Sequence, residues 1–455
     1  MNQKSLDFGQ DSIPSLFHKM LIPTLLGALS ICAVTLIDGI FIGQGVGAEG
    51  VAAINITVPI YQIMAGLGLM VGTGCSVLTS IMVARRNIRA ARQNVTQALV
   101  GIGTIVVIIT LAMYIFPRQS AQILGASETL MPMVIDYLKW ILPCFIFEMF
   151  SMIGLFIIRI DGAPKMAMWC NVIPSALNAL LDWVFIFPLG MGVKGAAIAT
   201  SISIIVGGIM ALVYLMFFAK SLKPAAIRLY GRSLRRAIYN FGNQCRIGVS
   251  SLLGELSLAA MVFIGNQVFM HYLGDTGVGA FGIACYYMPF FFMVGNSIAQ
   301  SGQPIISYNY GIAAHERIAA TRKLMTLSAL GGGVIVSALF IFFPRELVGL
   351  FIDLSTEAAA ICTEGFPYFA SGIIFFILNI TFIGYYQSIE RVKLAAIYVL
   401  LRGAIFALPS FVLLPKIFGV AGIWSAMPVT EFLTTIVILT ILFREISNQK
   451  RYETS

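Results

Sequence analysis

Long apolar stretches, separated by short charged or glycine- and proline-rich segments, dominate the chain from end to end. Their apolar residues are continuous rather than alternating with polar ones, which is typical of membrane-spanning helices and not of barrel strands. Each stretch can cross about 30 Å of hydrocarbon at about 1.5 Å per residue. The pattern predicts twelve helices, at residues 16–43, 52–82, 96–116, 131–159, 167–188, 192–219, 247–272, 278–308, 321–343, 360–388, 393–414 and 419–443. The first has no small-residue cleavage site behind it, so we expect no removable signal peptide.

The composition places all of these helices in a membrane. Of 455 residues, 58% are hydrophobic and 11% are charged, and the mean hydropathy is +0.90. No water-soluble fold of this length buries so much apolar surface in one core, so we predict an all-α integral membrane protein. The seven cysteines lack Cys-x-x-Cys spacing, which argues against disulfides and zinc. Three scattered histidines offer no catalytic relay, so an enzyme is the weakest class of function.

The basic residues indicate how the chain is oriented. If the N-terminus is cytoplasmic, 23 of the 29 Lys and Arg lie on the cytoplasmic side and four on the other, with Lys139 and Arg402 inside the membrane. Positive charge concentrates on the cytoplasmic side of membrane proteins, so both termini are predicted to be cytoplasmic. The net charge of +9 is therefore a sign of topology, and the expected partner is the lipid bilayer rather than a nucleic acid.

The chain contains an internal duplication with a constant offset of 227 residues. The segment 25–27 (LLG) recurs at 252–254, and the segment 116–118 (FPR) recurs at 343–345. Six helices per copy is an even number, so both copies enter the membrane from the same side, as in parallel-repeat transporters. We predict two six-helix lobes, at residues 1–219 and 247–455, related by a pseudo-twofold axis along the membrane normal. A basic cytoplasmic linker at 220–246 joins them; we interpret it as solvated, with contact to anionic lipid as the alternative.

Four oxygen-bearing side chains are predicted to converge in the outer half of the first lobe. Asp38 lies near the outer end of helix 1, Asn178 and Asp182 are one turn apart on helix 5, and Thr200 reaches the same layer from helix 6. Two carboxylates cannot both stay ionised in a low-dielectric site, so one takes a proton or a cation such as Na⁺ neutralises the pair. These residues predict a coupling-cation site for Na⁺ or H⁺; the alternative is that the two acids are neutral and only hydrogen-bond.

The duplication places this site in one lobe only. The residues at the matching positions of the second copy have no acidic side chain: they are Gly265, Ile405, Pro409 and Met427.

Two further intramembrane residues are candidates. Glu255 has no acidic counterpart in the first copy and is a candidate second cavity carboxylate that attracts a cationic substrate or a second ion. The alternative is that Glu255 pairs with Arg402, for which Glu431 is an equal candidate. Pro23 lies in the helix that carries Asp38 and leaves a backbone carbonyl there without its helical donor, so helix 1 is predicted to hinge at Pro23.

Three motifs resemble signatures of the multidrug and toxic compound extrusion (MATE) family. They are residues 36–43 (LIDGIFIG), 178–187 (NALLDWVFIF) and 303–311 (QPIISYNYG). The likeness spans nearly the whole chain and implies a twelve-helix antiporter of the bacterial inner membrane that expels organic cations in exchange for Na⁺ or H⁺. The resemblance assigns the cation site to the positions of Asp38, Asn178, Asp182 and Thr200, and a bending first helix to Pro23.

We therefore expect a cation-coupled exporter of amphipathic organic cations that works as a monomer, with no cofactor besides the coupling ion. The runner-up is a flippase of lipid-linked saccharides from the same superfamily, which should line its cavity with basic residues, whereas only Lys139 and Arg402 are intramembrane here. A membrane-embedded enzyme is the alternative of another class. Family members with a second-lobe sodium site pair a helix-7 glutamate, matched by Glu255, with a helix-10 aspartate, where Asn379 is the nearest polar residue in this chain.

Overall fold

The structure, a computed structural model, describes residues 6–46, 48–226 and 231–453. This part of the chain is almost entirely helical and contains no strand, which confirms the predicted all-α class. The helices of the first half are α1 (Ile13–Gly45), α2 (Ala48–Ala84), α3 (Ile88–Ile115), α4 (Pro117–Ile123), α5 (Met131–Ile141), α6 (Phe145–Ile160), α7 (Pro164–Ile186) and α8 (Gly192–Val213). Those that follow are α9 (Gly231–Gly311), α10 (His315–Phe342), α11 (Pro344–Gly349), α12 (Glu357–Ala370), α13 (Ile373–Ser388), α14 (Val392–Leu400) and α15 (Ala407–Glu453).

The helices of the described residues confirm a protein that crosses the membrane many times. Ten spans are long and apolar enough to cross a bilayer, and α12 with α13 forms one more that is bent by 50°. One of the ten, Val392–Glu445, has 54 residues, which is more than twice the length that a single crossing needs. Gly419 interrupts its helical backbone, between the positions predicted for helices 11 and 12.

Two glycines at equivalent positions support the internal duplication. Gly192 and Gly419 are 227 residues apart, and both have a φ of 58°. Residues with a side chain rarely adopt this left-handed backbone, whereas glycine does so without a steric penalty. Both copies of the repeat therefore turn the chain with a glycine before their sixth helix.

The described chain forms two compact units. Unit 1 contains the described residues up to Glu255 together with Gln303–Ile318. Unit 2 contains Leu256–Gly302 and the described residues from Ala319 onward. The lobe boundaries at 219 and 247 stay a prediction, since they were derived from the repeat and the charge pattern rather than from packing.

Each unit has its own core. In unit 1, α7 packs against α1 and α8, while α6 packs against α2 and α8, around residues that include Val71 and Phe145. In unit 2, α13 packs against α14 and α15, and the core is rich in aromatic side chains such as Phe291, Phe366 and Phe376. Dense packing of this kind holds the buried polar side chains of each unit in fixed positions.

Helix α3 illustrates how the membrane-spanning helices divide their surface. One face, with Val95 and Ile102, is buried against protein. Ile108, Leu111 and Ile115 remain more than half exposed. Large apolar side chains exposed in such numbers are suited to lipid hydrocarbon rather than to water.

The first part of the predicted linker is fastened to unit 1. Asp161, buried in the turn between α6 and α7, accepts hydrogen bonds from the backbone N–H groups of Lys220 (2.7 Å) and Ser221 (2.9 Å). Thr96 Oγ1 on α3 accepts a further one from the Ala225 N–H at 2.9 Å. These residues are therefore held by specific contacts. Residues 231–246 belong to α9, and 227–230 lie outside the described residues.

Candidate cation site in unit 1

Helix α7 lies against both α1 and α8, so it brings side chains from the three helices together. The close approach of these three helices depends on small residues. A Cβ atom added to Gly27 of α1 would lie 3.1 Å from Nδ2 of Asn171, and one added to Gly207 of α8 would lie 3.1 Å from Cγ of Pro174. Both distances are tight, so larger residues at these positions would push α1 or α8 away from α7.

Two acidic side chains meet where α1 faces α7. The carboxyl groups of Asp38 on α1 and Asp182 on α7 lie within hydrogen-bonding reach of each other. Asp182 is fully buried and Asp38 is half-buried. Two ionised carboxylates can only accept hydrogen bonds, so their close approach requires a proton on one carboxyl group or a cation between the two.

Asn178 and Thr200 lie beside the acid pair. Asn178, one turn before Asp182 on α7, has its side chain next to the Asp182 carboxyl group. Its Nδ2 atom donates a hydrogen bond to Thr200 Oγ1 on α8 at 3.4 Å. The structure thus brings the four predicted residues together from three helices, and their role as a cation site stays a prediction.

Among the residues that the structure describes, no basic side chain forms an ion pair with Asp38 or Asp182. Within the described residues, neither carboxyl oxygen of Asp182 nor Oδ1 of Asp38 has a hydrogen-bond donor in place. A buried carboxylate without a partner is unfavourable, so these oxygens favour capture of a proton or of a hard cation. Amide and hydroxyl oxygens from Asn178 and Thr200 are also of the type that hard cations bind.

Two tyrosines next to the acid pair were not predicted from the sequence. Tyr137 on α5 lies near enough to Asp38 and Asp182 to interact with them electrostatically. Its hydroxyl group is 3.1 Å from the hydroxyl group of Tyr61 on α2. A phenol can both donate and accept, so Tyr137 extends the polar site from the acids to a fourth and a fifth helix. The available signal was its depth in the membrane, which matches that of Asp38.

Glu255 lies on the stretch of α9 that belongs to unit 1. It is half-buried, and a Cβ atom added to Gly66 of α2 would lie 3.6 Å from the Glu255 Cβ atom. Arg402 does not neutralise Glu255 in this structure, because its guanidinium group binds Glu431 in unit 2. A role for Glu255 in the cavity stays a prediction.

Pro23 is enclosed within α1, which continues on both sides of it. Proline has no backbone N–H, so the carbonyl group one turn earlier lacks its helical donor. The helix is therefore weakened between the first residues of α1 and Asp38. Whether α1 bends there during the transport cycle stays a prediction.

Known proteins resemble this chain in sequence. A sequence model of the family described as MatE matches residues 23–184 and 248–412, once in each copy of the duplication. The chain is 24% identical over 438 residues to the multidrug export protein MepA of Staphylococcus aureus, covering 93% of this chain and 92% of MepA.

Solved structures share the same fold. One is a multidrug resistance MATE family transporter in an outward-facing conformation, 21% identical with a TM-score of 0.91, covering 99% of this chain and 100% of that one. Another is a transporter of the MOP superfamily from Pyrococcus furiosus, also 21% identical with a TM-score of 0.89, covering 98% and 100% of the two chains. Reversed polarity of the binding pocket is said to suggest a different function for that protein.

Proposed function

Because this chain belongs to the MatE family and is a membrane transporter rather than an enzyme, we propose that it exports small amphipathic organic cations in exchange for Na⁺ or H⁺. The substrate class rests on MepA, which is named a multidrug export protein. The coupling rests on the acid pair of unit 1, where Asp38 and Asp182 adjoin without a basic partner among the described residues.

The acid pair supplies a physical reason for exchange. With a proton or Na⁺ captured, the Asp38 and Asp182 carboxyl groups can adjoin in a site shielded from water. After that cation leaves, the two negative charges repel each other and attract a cationic substrate instead. Uptake of the coupling cation and release of the substrate are thereby linked, as alternating access requires.

Helix α1 is the element through which we expect this change to act. Asp38 and Pro23 lie on the same helix, so a change in the force on Asp38 falls on a helix weakened at Pro23. A proline inside a helix costs about 3 kcal/mol relative to alanine. Pro23→Ala should therefore stabilise straight α1 and slow efflux several-fold without loss of folded protein. Normal efflux by the Pro23→Ala variant would remove the hinge from the mechanism.

The remaining expectations concern substrate attraction and location. Glu255 is the candidate second cavity carboxylate, which would favour cationic over anionic substrates. The distribution of Lys and Arg supports two cytoplasmic termini in a bacterial inner membrane. We expect the transporter to act as a monomer.

The flippase alternative is disfavoured by the shortage of free basic side chains in the membrane. Of the two predicted intramembrane basic residues, Lys139 and Arg402, the second is already neutralised by Glu431.

Dye efflux from inverted membrane vesicles tests the proposal. A Na⁺ gradient and a pH gradient are imposed separately on the wild type, on Asp38→Asn and on Asp182→Asn. Asparagine cannot acquire or lose the charge, so each variant should fall to the background of vesicles without the transporter. Glu128→Gln, which removes an exposed acid of the same unit, is the matched control and should keep the wild-type rate. Undiminished efflux in both aspartate variants would reject the site.

A further inference from the structure

Unit 2 contains a buried ion pair that the exchange mechanism above does not use. Glu431 on α15 is fully buried, and Arg402 is 3% exposed. Arg402 Nη2 donates to Glu431 Oε1 at 2.6 Å, and Nε lies 3.0 Å from Oε1 and 3.2 Å from Oε2. Both carboxylate oxygens are therefore engaged by one guanidinium group, in the side-by-side geometry that makes such pairs strong.

Neighbouring side chains hold this pair in place. Asn379 on α13 donates from Nδ2 to Glu431 Oε2 at 2.7 Å, and Thr435 Oγ1 donates to Asn379 Oδ1 at 2.8 Å. The Arg402 guanidinium also lies 4.3 Å from the centre of the Phe376 ring, which favours a cation. Arg402 itself sits in a π-helical turn, Leu401–Ile405, whose wider hydrogen bonding changes the direction of the side chains.

The duplication relates this pair to the cation site of unit 1. With the offset of 227 residues, Arg402 corresponds to position 175 on α7 and Glu431 corresponds to position 204 on α8. Asn178 and Thr200 are within about one turn of these positions, on the same two helices. Both copies of the repeat therefore carry buried polar groups on their fifth and sixth helices at a similar depth.

The two sites differ in how their acids are neutralised. In unit 1, three of the four carboxyl oxygens of Asp38 and Asp182 have no donor among the described residues. In unit 2, the guanidinium of Arg402 satisfies the carboxylate, and this cation is covalently part of the protein, so it cannot leave the site as Na⁺ or H⁺ can.

We propose that Arg402 is a built-in cation that permanently balances the charge of the buried Glu431 carboxylate in unit 2, so that only the Asp38–Asp182 pair of unit 1 binds and releases a cation during exchange. The inference rests on the proposed function, which supplies the exchange. It adds that the duplicated half contributes no second coupling site.

Thermal unfolding of the purified full-length transporter tests this. The coupling cation identified in vesicles is titrated at constant ionic strength, because a bound ion stabilises the folded state. Three proteins are compared: the wild type, Asp38→Asn/Asp182→Asn, and the variant with a neutral unit 2 site, Arg402→Met/Glu431→Gln. We expect the aspartate variant to lose the whole cation-dependent shift. The neutral variant should keep a midpoint concentration within about twofold of the wild type.

The outcomes separate the two ideas. A shift that is only partly lost in each double variant would mean two cation sites and would overturn the inference while leaving the site in unit 1. A shift that persists undiminished in Asp38→Asn/Asp182→Asn would reject the proposed coupling site and the inference with it. Should the neutral variant not fold, Arg402→Lys keeps the fixed charge and must keep the wild-type midpoint. A displaced midpoint in that variant would contradict a purely internal cation.

Discussion

Replacing Glu431 by glutamine should be among the most destabilising single changes in unit 2. The substitution keeps the shape of the side chain but leaves the buried charge of Arg402 without its counter-ion. Removing one partner of a buried pair lowers the free energy of unfolding by about 3–5 kcal/mol, because the remaining charge has no counter-ion in a low-dielectric interior. The Glu431 contact with Asn379 is weakened as well, since an amide accepts less strongly than a carboxylate.

The chain provides its own control for this prediction. Arg118 and Glu128 form the same type of ion pair at 3.0 Å, but their side chains are 63% and 74% exposed. Exposed pairs contribute about 0–1 kcal/mol, so Glu128→Gln should change little. In a thermal unfolding assay in detergent, Glu431→Gln should melt on the order of 10 °C below the wild type. Equal melting of the two glutamine variants would refute the stranded-charge argument, and Arg402→Met/Glu431→Gln should recover most of the loss.

Two other predictions concern how unit 1 is held together. The hydroxyl oxygens of Thr73 on α2 and Ser251 on α9 are 3.4 Å apart, and we expect these helices to separate when one repeat rocks against the other. The test uses a protein without the seven native cysteines. In that background, an oxidised Thr73→Cys/Ser251→Cys pair should stop efflux until the disulfide is reduced. The control pair is Gly68→Cys/Met152→Cys within the first repeat, where a Cβ atom added to Gly68 would lie 3.3 Å from the Met152 Cβ atom. A disulfide there should leave efflux intact, and an equal loss of efflux in both pairs would contradict the prediction. Asp161→Ala should release the start of the linker and increase its cleavage by trypsin, measured by mass spectrometry on membranes that give trypsin access to both faces. Unchanged cleavage would show that other contacts are sufficient to hold the linker.

The hydrophobic pattern predicted the long apolar helices and the points that separate them, but not the short helices α4 and α11 or the start of α9 at Gly231. A crossing requires about 20 apolar residues, so the length of each apolar stretch already limits the number of helices. Predicted helices 7 and 8 are divided at 272–278, where Gly274 has a φ of 62°. Predicted helices 11 and 12 are divided at 414–419, where Gly419 has a φ of 58°. The glycines were visible in the sequence because both copies of the repeat keep them.

The partner of Arg402 could not be predicted in the same way. Glu255 and Glu431 both lie in apolar helices, and hydropathy gives the depth of a residue but not the direction in which its helix is rotated. The π-helical turn around Arg402 changes that direction further, and nothing in the local sequence predicted it. A contact that depends on the rotation of two helices requires the packed structure.

The tyrosine pair was missed for a related reason. Tyr61 and Tyr137 are 76 residues apart and lie on different helices, each within an apolar stretch. A single tyrosine in such a stretch is more often part of the core or of the lipid surface than of a site. Asp38 and Asp182 were easier to predict, because an acid inside a membrane is costly enough to require a function.

If the proposed exchange holds, the different ways in which the two units neutralise their buried acids give a reason why a duplicated fold responds to one cation. Separating Arg402 from Glu431 would leave two buried charges unpaired, so we expect the packing around this pair to stay the same throughout the cycle. In the proposed exchange, the Asp38–Asp182 pair instead changes from neutral to mutually repelling when a cation leaves. The two acids lie on α1 and α7, and α1 also carries Pro23. We therefore expect cation-dependent motion to begin in unit 1. Hydrogen exchange should show it as a loss of protection in α1 on removal of the cation, while α13 around Asn379 is unaffected; equal changes in both helices would refute this division.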